Sequence, residues 1–234
     1  MVTDLKKLVI IPAYNEEASV AGQCTEVSVF APDYDIIVIN DCSTDCTKKV
    51  CSENGIKVID LAVNLGIGGA MQTGYRYAYD NGYEIAVQID GDRQHDPAFI
   101  EGMYDALMTD DADMVIGSRF IKKEGYQSTA SRRMGIRFLS TLIFVLTGIK
   151  ITDPTSGLRM VGRELIREFS ESYPQDYPEP ESVVHSIRKG YKVTEIPVRM
   201  RGRAAGRSSI RLWSAVYYMI KVSIAVVLER LRRT

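Results

Sequence analysis

The chain has 234 residues, with 29 Lys plus Arg against 30 Asp plus Glu, so its formal net charge is −1. This balance excludes a globally basic nucleic-acid coat protein, and we expect no nucleic-acid partner. Hydrophobic residues make up 45% of the chain and charged residues 25%. That composition is typical of a globular protein of roughly one to two domains.

The cysteines and the N-terminus indicate a cytoplasmic protein. The four cysteines do not form paired C-x-x-C ligand sets and only two histidines are present, which favours reduced thiols over a zinc site. The first apolar run, 8–11, follows charged residues and ends at a proline. It is too short for a signal peptide or a membrane span.

Short apolar runs recur in the first half of the chain, each followed by a stretch long enough for a helix. They predict strands at 8–11, 36–39, 57–61, 85–89 and 114–116. Helix starts are predicted at 43–45, 68–69 and 96–97, where capping residues, glycines or a proline follow a strand. The alternation predicts an α/β fold with a mostly parallel central sheet, doubly wound over residues 1 to about 120.

The second half of the chain has a different pattern, with helices predicted over 131–150 and 210–233 and a strand over 191–198. The apolar stretch 138–149 is shorter than the ~20 residues of a membrane crossing, which leaves a place in the membrane interface open. The segment 212–228 is long enough, but Lys221 near its middle favours an amphipathic or packed helix over a span.

Basic residues are concentrated at the C-terminus. From Arg199 onward nine basic residues stand against one acid, Glu229. Such a segment suits anionic headgroups or phosphates, and a solvated helix end is the alternative. We therefore divide the chain into a catalytic domain, 1–209, and a basic amphipathic helix, 210–234, that contacts a membrane surface or a second copy of the chain.

Polar residues follow three of the predicted strands, at 12–16, 40–45 and 90–95. In a doubly wound sheet, ligands bind beyond the carboxyl ends of the strands. Asp90 and Asp92 flank a glycine after an apolar strand, and their hard oxygens suit a divalent cation that also binds substrate phosphates. A D-x-D sequence alone also occurs in solvated surface turns, but its place after a central strand favours the metal.

The glycine-containing loop 64–70 could approach a phosphate or ribose. It does not match G-x-G-x-x-G, because Met71 stands in place of the third glycine, and the chain has no P-loop GK[ST]. The dehydrogenase and P-loop NTPase classes are therefore disfavoured.

These motifs, taken in order, resemble those of family 2 glycosyltransferases with the GT-A fold. The resemblance covers about residues 8–210, and the form D-x-D-x-Q-H-x-P is most similar to the dolichyl-phosphate mannose synthase branch, which transfers sugars to polyprenyl phosphates. The matching segments are IIPAYNE at 10–16, NDCSTD at 40–45, DGDRQHDP at 90–97, GSR at 117–119, DPTSGLR at 153–159, EIPV at 195–198 and GRSS at 206–209.

The resemblance implies roles for residues at the strand ends. A nucleotide sugar would be bound by Pro12, Ala13, Tyr14, Glu16, Asp41, Gly66, Asp90 and Gly91. A Mg or Mn ion on its diphosphate would be held by Asp90, Asp92 and Gln94. Asp92 and Arg119 are also candidate catalytic residues, because a metal and a nearby cation stabilise the charge that develops on the departing diphosphate.

Further arginines are candidates for binding the donor phosphates or the acceptor, although each taken alone is more often a surface residue. They are Arg132, Arg133, Arg159, Arg203 and Arg207.

The acceptor is the least determined part of the prediction. A polyprenyl phosphate oxygen is already nucleophilic and needs no strong base, whereas a sugar hydroxyl does. Glu181 is the candidate base, with Glu179 and Asp176 as weaker ones, and a rigid turn with helix-capping acids is the alternative for this cluster.

The sequence thus predicts a metal-dependent inverting glycosyltransferase that acts on a polyprenyl phosphate (undecaprenyl or dolichyl) at the cytoplasmic face of a membrane. Transfer to a glycan hydroxyl in cell-surface polysaccharide synthesis, with Glu181 as base, remains the close alternative. A nucleotidyltransferase and a noncatalytic lipid-surface module are less favoured. A homo-oligomer through the C-terminal helix is left open.

Overall fold

The computed structural model describes residues 5–127, 129–202 and 212–231, and for 212–219 the backbone alone. The strands are β1 (Lys7–Ala13), β2 (Tyr34–Asn40), β3 (Val58–Asp60), β4 (Ile85–Gln88), β5 (Met114–Ser118), β6 (Arg159–Gly162) and β7 (Val193–Pro197). The helices are α1 (Val20–Phe30), α2 (Thr47–Glu53), α3 (Gly66–Asp80), α4 (Ile100–Thr109), α5 (Ala130–Thr147), α6 (Arg163–Glu171), α7 (Pro178–Arg188) and α8 (Leu212–Leu231). A 3₁₀ turn at Pro97–Phe99 precedes α4, and the Asp96 carboxylate accepts the Ala98 N–H at its start.

The seven strands form one sheet in the order β3-β2-β1-β4-β6-β5-β7. β1 pairs in parallel with both β2 and β4, β2 with β3, and β5 with β7. Among the described strands, β6 alone runs antiparallel, between β4 and β5. The chain runs outward from β1 to β2 and β3 and then returns past β1 to β4, so the strand order reverses between β1 and β4. Such a reversal is the switch point where ligands bind in open α/β sheets.

The predicted α/β fold with a mostly parallel sheet is confirmed, and all six predicted strands are present. The prediction missed β6, because this strand has only four residues and begins with an arginine, so it lacks a continuous apolar run. The doubly wound unit does not end near residue 120, since β6 and β7 complete the same sheet.

Alternate residues of the central strands face opposite sides of the sheet, and each side carries its own core. Ile10 and Ile37 pack on the side of α3, α5, α6, α7 and α8, whereas Val9 and Val38 pack on the side of α1, α2 and α4. This two-residue period explains why the strands are apolar throughout: both of their faces are covered by helices.

The C-terminal helix α8 is fastened to the domain by apolar and charged contacts. Val222 and Val226 are fully buried in the core. Glu229 accepts hydrogen bonds from His185 Nδ1 at 2.8 Å and Arg188 Nη2 at 3.1 Å, both on α7. The other ring nitrogen of His185 lies 2.9 Å from Glu168 of α6, so one imidazole links three helices. Within the part of the chain that the structure describes, no helix is long and apolar enough to cross a membrane.

We expect Glu229→Ala to lower the free energy of unfolding by about 3–5 kcal/mol, because it leaves a buried cation without its carboxylate. Denaturant-induced unfolding followed by circular dichroism measures the change. The control is Glu164→Ala, which removes an exposed pair with Arg167 and should cost under about 1 kcal/mol. Equal effects of the two substitutions would contradict the docking of α8 through Glu229.

Candidate active site

The loops after β1 and β2 are joined by hydrogen bonds at the carboxyl edge of the sheet. The Asn15 N–H donates to Ser43 Oγ at 2.9 Å, and the Thr44 N–H donates to Asn15 Oδ1 at 2.8 Å. Asn15 and Cys42 both have left-handed backbone angles, with φ of 57° and 56°. Non-glycine residues hold this conformation only where their surroundings fix it, so these two loops are preorganised.

Most of the residues predicted to bind the nucleotide lie at this edge. Pro12 and Ala13 are buried at the end of β1, and the following Tyr14 side chain is 50% exposed. Glu16 is partly buried, and its carboxylate accepts the Ser19 hydroxyl at 2.6 Å. The ring of Tyr14 is therefore exposed to solvent directly after the buried end of β1.

Asp41 brings a third loop, the one after β3, to the same edge. It is buried, and its Oδ1 accepts the Leu65 N–H at 2.7 Å while its carbonyl accepts Asn64 Nδ2 at 3.1 Å. These bonds place Gly66, the first residue of α3, beside the β2 loop. The next glycine of this segment, Gly68, is covered by Pro174 and Gln175, so its backbone packs against the chain rather than facing a ligand.

Asp90, Gly91 and Asp92 follow β4 directly and lie beside the end of β1. The Asp90 N–H donates to His95 Nδ1 at 3.2 Å, and Asp92 Oδ1 accepts the Gln94 N–H at 3.0 Å. These bonds fold the loop 90–97 into a turn that carries both carboxylates, and we call the segment 90–92 the D-x-D corner. Both side chains are partly exposed.

The corner suits a divalent cation that also binds a substrate. A Cβ on Gly157 would lie 3.0 Å from both carboxylate oxygens of Asp90, so the bare backbone there leaves room that any side chain would fill. No three His, Cys, Asp or Glu residues converge on a metal position within the described ranges. Two carboxylates with substrate phosphates and water as further ligands are the usual set for Mg²⁺.

Arg119 is placed differently from the prediction. It is 4% exposed, and its Nε and Nη2 each lie 2.6 Å from a carboxylate oxygen of Asp153. Glu195 in turn accepts the N–H groups of Thr152 and Asp153 at 2.7 and 2.8 Å. The guanidinium is therefore paired inside the domain, where it fixes the 152–155 segment at the edge of the sheet, and it does not face an open phosphate position.

Arg159, predicted to bind a phosphate or the acceptor, is also closed off. It is 1% exposed, and its guanidinium donates to the carbonyls of Ser156 and Pro154 and to the Ser182 hydroxyl. A phosphate ligand needs an accessible guanidinium, so in this structure Arg159 joins β6 to α7 instead. No sequence pattern indicates this, because an arginine beside a D-P-T-S-G motif looks the same whether its guanidinium is buried or open to solvent.

The remaining predicted arginines divide into two groups. Arg132 is exposed and Arg133 partly exposed in the first turn of α5. This turn follows the loop that leaves the carboxyl end of β5. Arg203 and Arg207 lie outside the described residues.

The two acidic residues in the first turn of α7, Glu179 and Glu181, have different surroundings. Burial raises the pKa of Glu179, Arg159 opposes this shift, and the charge of Asp90 adds to it. Burial raises the pKa of Glu181 to about 7, with further contributions from the acids Asp176, Glu229 and Glu179. Asp90 thus contributes to the raised pKa of Glu179 and is not among the groups that raise the pKa of Glu181.

Sequence reasoning also missed the ion pairs that hold the corner in place. Glu26 binds both Arg93 and Arg201, and Asp96 binds Arg201 at 2.9 Å. These residues are far apart in sequence, and no local pattern links them.

Comparison with known proteins identifies the class to which this site belongs. The chain is 26% identical over 216 residues to the undecaprenyl-phosphate mannosyltransferase of Micrococcus luteus, with 88% of each chain covered. It is 31% identical over 210 residues to the UDP-N-acetylglucosamine–dolichyl-phosphate N-acetylglucosaminyltransferase of Methanococcus voltae, which covers 81% of this chain and 83% of that relative.

A solved structure gives the same fold. Glucosyl-3-phosphoglycerate synthase from Mycobacterium tuberculosis, in complex with Mn²⁺, uridine-diphosphate-glucose and phosphoglyceric acid, superimposes with a TM-score of 0.74 at 19% identity, over 98% of this chain and 81% of that one. The protein is a nucleotide-sugar-dependent glycosyltransferase with the GT-A fold, as its motifs predicted. It belongs to glycosyl transferase family 2, whose family model matches residues 8–170.

We expect the stability of the protein to fall as the pH rises from about 4.5 to 7 through the contribution of Glu181. Its pKa is raised from 4.5 to about 7 in the folded protein, so folding favours the protonated form and deprotonation opposes it. Glu181→Gln removes this contribution. Its melting temperature should exceed that of the wild type at pH 8 and match it at pH 4.

Differential scanning calorimetry across this pH range measures the difference between variant and wild type. Glu164→Gln, on the exposed face of α6, is the control and should follow the wild type throughout. A constant difference between Glu181→Gln and the wild type at all pH values would contradict the assignment.

Proposed function

We propose that the protein transfers a sugar from a nucleotide-diphosphate sugar to a polyprenyl phosphate, such as undecaprenyl or dolichyl phosphate, with inversion at the anomeric carbon. The observation that carries the proposal is the corner formed by Asp90 and Asp92 beside the preorganised loops after β1 and β2. The names of the two relatives, each matched over more than 80% of its length, support this acceptor class.

Different strand-end residues would contact different parts of the nucleotide sugar. Tyr14 offers its exposed ring to the base, and Asp41 holds the loop that begins α3 in place through Leu65. A divalent cation, Mg²⁺ or Mn²⁺, would be held by Asp90, Asp92 and Gln94 and would offset the negative charge that the diphosphate gains as the sugar leaves. The Mn²⁺ in the M. tuberculosis structure supports this cofactor.

A polyprenyl phosphate needs little help from the protein to react, because its oxygen is already anionic. In-line attack on the anomeric carbon then requires the acceptor phosphate to be positioned opposite the leaving diphosphate. Arg132 and Arg133, in the first turn of α5, are the candidates for this among the described residues. Arg203 and Arg207 remain candidates from the sequence.

The alternative, transfer to a glycan hydroxyl, needs a general base, and we infer a different candidate for it from the surroundings of the acids on α7. The pKa of Glu179 responds to Asp90, whereas that of Glu181 responds to acids on α7, α8 and the preceding loop. A base must lie within reach of the reacting centre before its pKa matters. Glu179 therefore replaces Glu181 as the candidate for this second function.

Two helices carry a surface that supports association with a membrane. On α5, Met134, Phe138 and Val145 form an exposed stripe opposite the buried residues of the same helix. On α8, the exposed apolar residues recur at three- and four-residue intervals, opposite Val222 and Val226, and are Ile220, Ile224, Leu228 and Leu231. Both stripes point away from the same core cluster, and we call them together the α5–α8 surface.

The charges around the α5–α8 surface are of one sign. Helix α5 contains no acidic residue, and the only acid of α8, Glu229, is buried against His185. The exposed charged side chains are Arg132, Arg137, Lys221 and Arg230. An apolar stripe flanked by cations fits the surface of an anionic bilayer, and it disfavours the same face of a second copy. We therefore place the protein peripherally at the cytoplasmic face of the membrane.

We expect release of nucleoside diphosphate from one of a panel of nucleotide sugars to require both Mn²⁺ and polyprenyl phosphate. Asp92→Asn should lower kcat/KM by about 100-fold or more, because it removes a carboxylate from the site of the developing charge. Asp111→Asn, at an exposed position whose backbone suits asparagine, is the control and should keep wild-type turnover.

The other outcomes of this assay distinguish the alternatives. Release that needs a glycan acceptor, and that Glu179→Gln abolishes while Glu181→Gln does not, would replace the lipid phosphate with a hydroxyl acceptor. Release of pyrophosphate from a nucleoside triphosphate would replace the glycosyltransferase proposal with a nucleotidyltransferase.

We expect polar substitutions on the α5–α8 surface to weaken binding to anionic vesicles. The double variants Phe138→Gln/Val145→Gln and Ile224→Gln/Leu228→Gln should each reduce cosedimentation with phosphatidylglycerol vesicles by about tenfold, since each removes buried apolar area. The control, Val29→Gln/Met108→Gln, changes two equally exposed apolar residues on the other side of the sheet. Cosedimentation equal to the wild type in all three would refute this surface.

A further inference from the structure

The loop 90–97, which we propose binds the metal, contains an arginine whose side chain extends toward α1 rather than toward Asp90 and Asp92. Arg93 stands between Asp92 and Gln94 and has a left-handed backbone, with φ of 62°. Its guanidinium crosses helix α1 at Gly22, where an added Cβ would lie 3.1 Å from Nη1, and reaches Glu26 one turn further along. Gly22 and Glu26 lie four residues apart on one face of α1, and the Arg93 side chain packs against the first and pairs with the second.

A second arginine reaches the same carboxylate from the other side of the loop. Arg201 Nη1 binds Glu26 Oε2, and its Nη2 lies 2.9 Å from Asp96 Oδ1. The backbone of Arg201 is also tied to the loop, since its N–H donates to the Gln94 carbonyl at 2.9 Å. Arg93 directly, and Gln94 and Asp96 through Arg201, are therefore joined to α1 at one residue, Glu26.

The charges explain why this residue has to be an acid. Two guanidinium groups converge on Glu26, and without a carboxylate between them they would repel each other. Partial burial raises the pKa of Glu26, but the hydrogen bonds from Arg201 and Arg93 lower it overall below its usual range, so the carboxylate is ionised near neutral pH. Each of its oxygens binds a different arginine. Because the carboxylate and both guanidinium groups are ionised, both hydrogen bonds are charge-assisted.

The strained backbone at Arg93 links this network to the D-x-D corner. A non-glycine residue in the left-handed region is held there at a cost of order 1–3 kcal/mol, and the Arg93 side chain is anchored outside the loop. The neighbouring Asp92 accepts the N–H of Gln94, the residue after Arg93, so the conformation at residue 93 also sets where this carboxylate stands. Releasing Arg93 would let the turn relax.

We propose that Glu26 is a positioning residue for the metal-binding loop: by binding Arg93 and Arg201 it fixes the backbone of 90–97, and with it the carboxylates of Asp90 and Asp92, without touching the substrate. The proposed effect on metal binding rests on the function proposed above. The effect on the loop itself does not.

The first test needs no ligand. Hydrogen–deuterium exchange of the metal-free protein should show faster exchange at amides 91–96 in Glu26→Gln than in the wild type, by about tenfold. The control, Glu53→Gln, removes a carboxylate from an exposed pair with Lys49 on the neighbouring helix α2 and should leave these amides unchanged. Exchange in 91–96 that is the same in Glu26→Gln as in the wild type would overturn the proposal.

The second test measures the metal. Titration of Mn²⁺ into the protein with a nucleoside diphosphate, followed by electron paramagnetic resonance, should give an apparent Kd about tenfold higher for Glu26→Gln than for the wild type. Arg93→Gln should give an increase no larger than this, and the double variant little more than Glu26→Gln alone, because the Arg93–Glu26 pair is already broken in each single variant. Additive effects, or an unchanged Kd in Glu26→Gln, would overturn the proposal.

The two tests separate this inference from the proposed function. If the wild type bound no Mn²⁺ with any nucleoside diphosphate, the metal-dependent function would fail, and the exchange experiment would still decide the role of Glu26. If Glu26→Gln did not fold, Arg93→Gln would serve in both experiments, since it leaves the carboxylate paired with Arg201.

Discussion

The candidate site depends on the point where β1 and β4 stop pairing. The last bond between them joins the Ile89 N–H to the Ile10 carbonyl, and the next residue of β1 on that side is Pro12, which has no N–H to offer. β1 continues beside β2 as far as Ala13 and Asn40, whereas the chain after β4 turns away at Asp90. The two segments therefore diverge at the switch point, where the residues proposed to bind a nucleotide and its diphosphate lie.

Charge pairs then hold the segments that border the candidate site, and of these the Arg119–Asp153 pair is buried whereas the pairs made by Glu26 are partly exposed. Arg119 pairs with Asp153, and Glu26 joins Arg93 to Arg201, so cations close to the site are used to fix backbone. A buried pair is costly to break, because removing one partner leaves an uncompensated charge. Such pairs specify one arrangement of the loops, which is what a site for a charged donor requires.

Helix α7 connects the catalytic edge with the α5–α8 surface. Glu179, in its first turn, responds to the charge of Asp90, and His185 and Arg188, near its end, bind Glu229 of α8. One helix thus spans the distance between the proposed donor site and the proposed membrane contact. The position of α8 is fixed relative to the site by buried contacts.

The sequence by itself determined the α/β class, the six apolar strands and the strand-end motifs, because strand burial and ligand-binding loops leave local patterns that the family resemblance reinforced. It did not reveal β6, whose four residues are held by β4 and β5 on either side. It also could not distinguish an open arginine from a buried one: Arg119 and Arg159 were predicted to face phosphates, and only the fold placed Asp153 and Ser182 against them. The pKa of an acid likewise depends on residues that are distant in sequence. The different surroundings of Glu179 and Glu181 therefore became apparent only from the fold, in which Asp90 affects the first and Glu229 the second. A motif can be recognised in the sequence because its residues are neighbours along the chain, whereas the partner of a buried charge depends on which elements pack together in the fold.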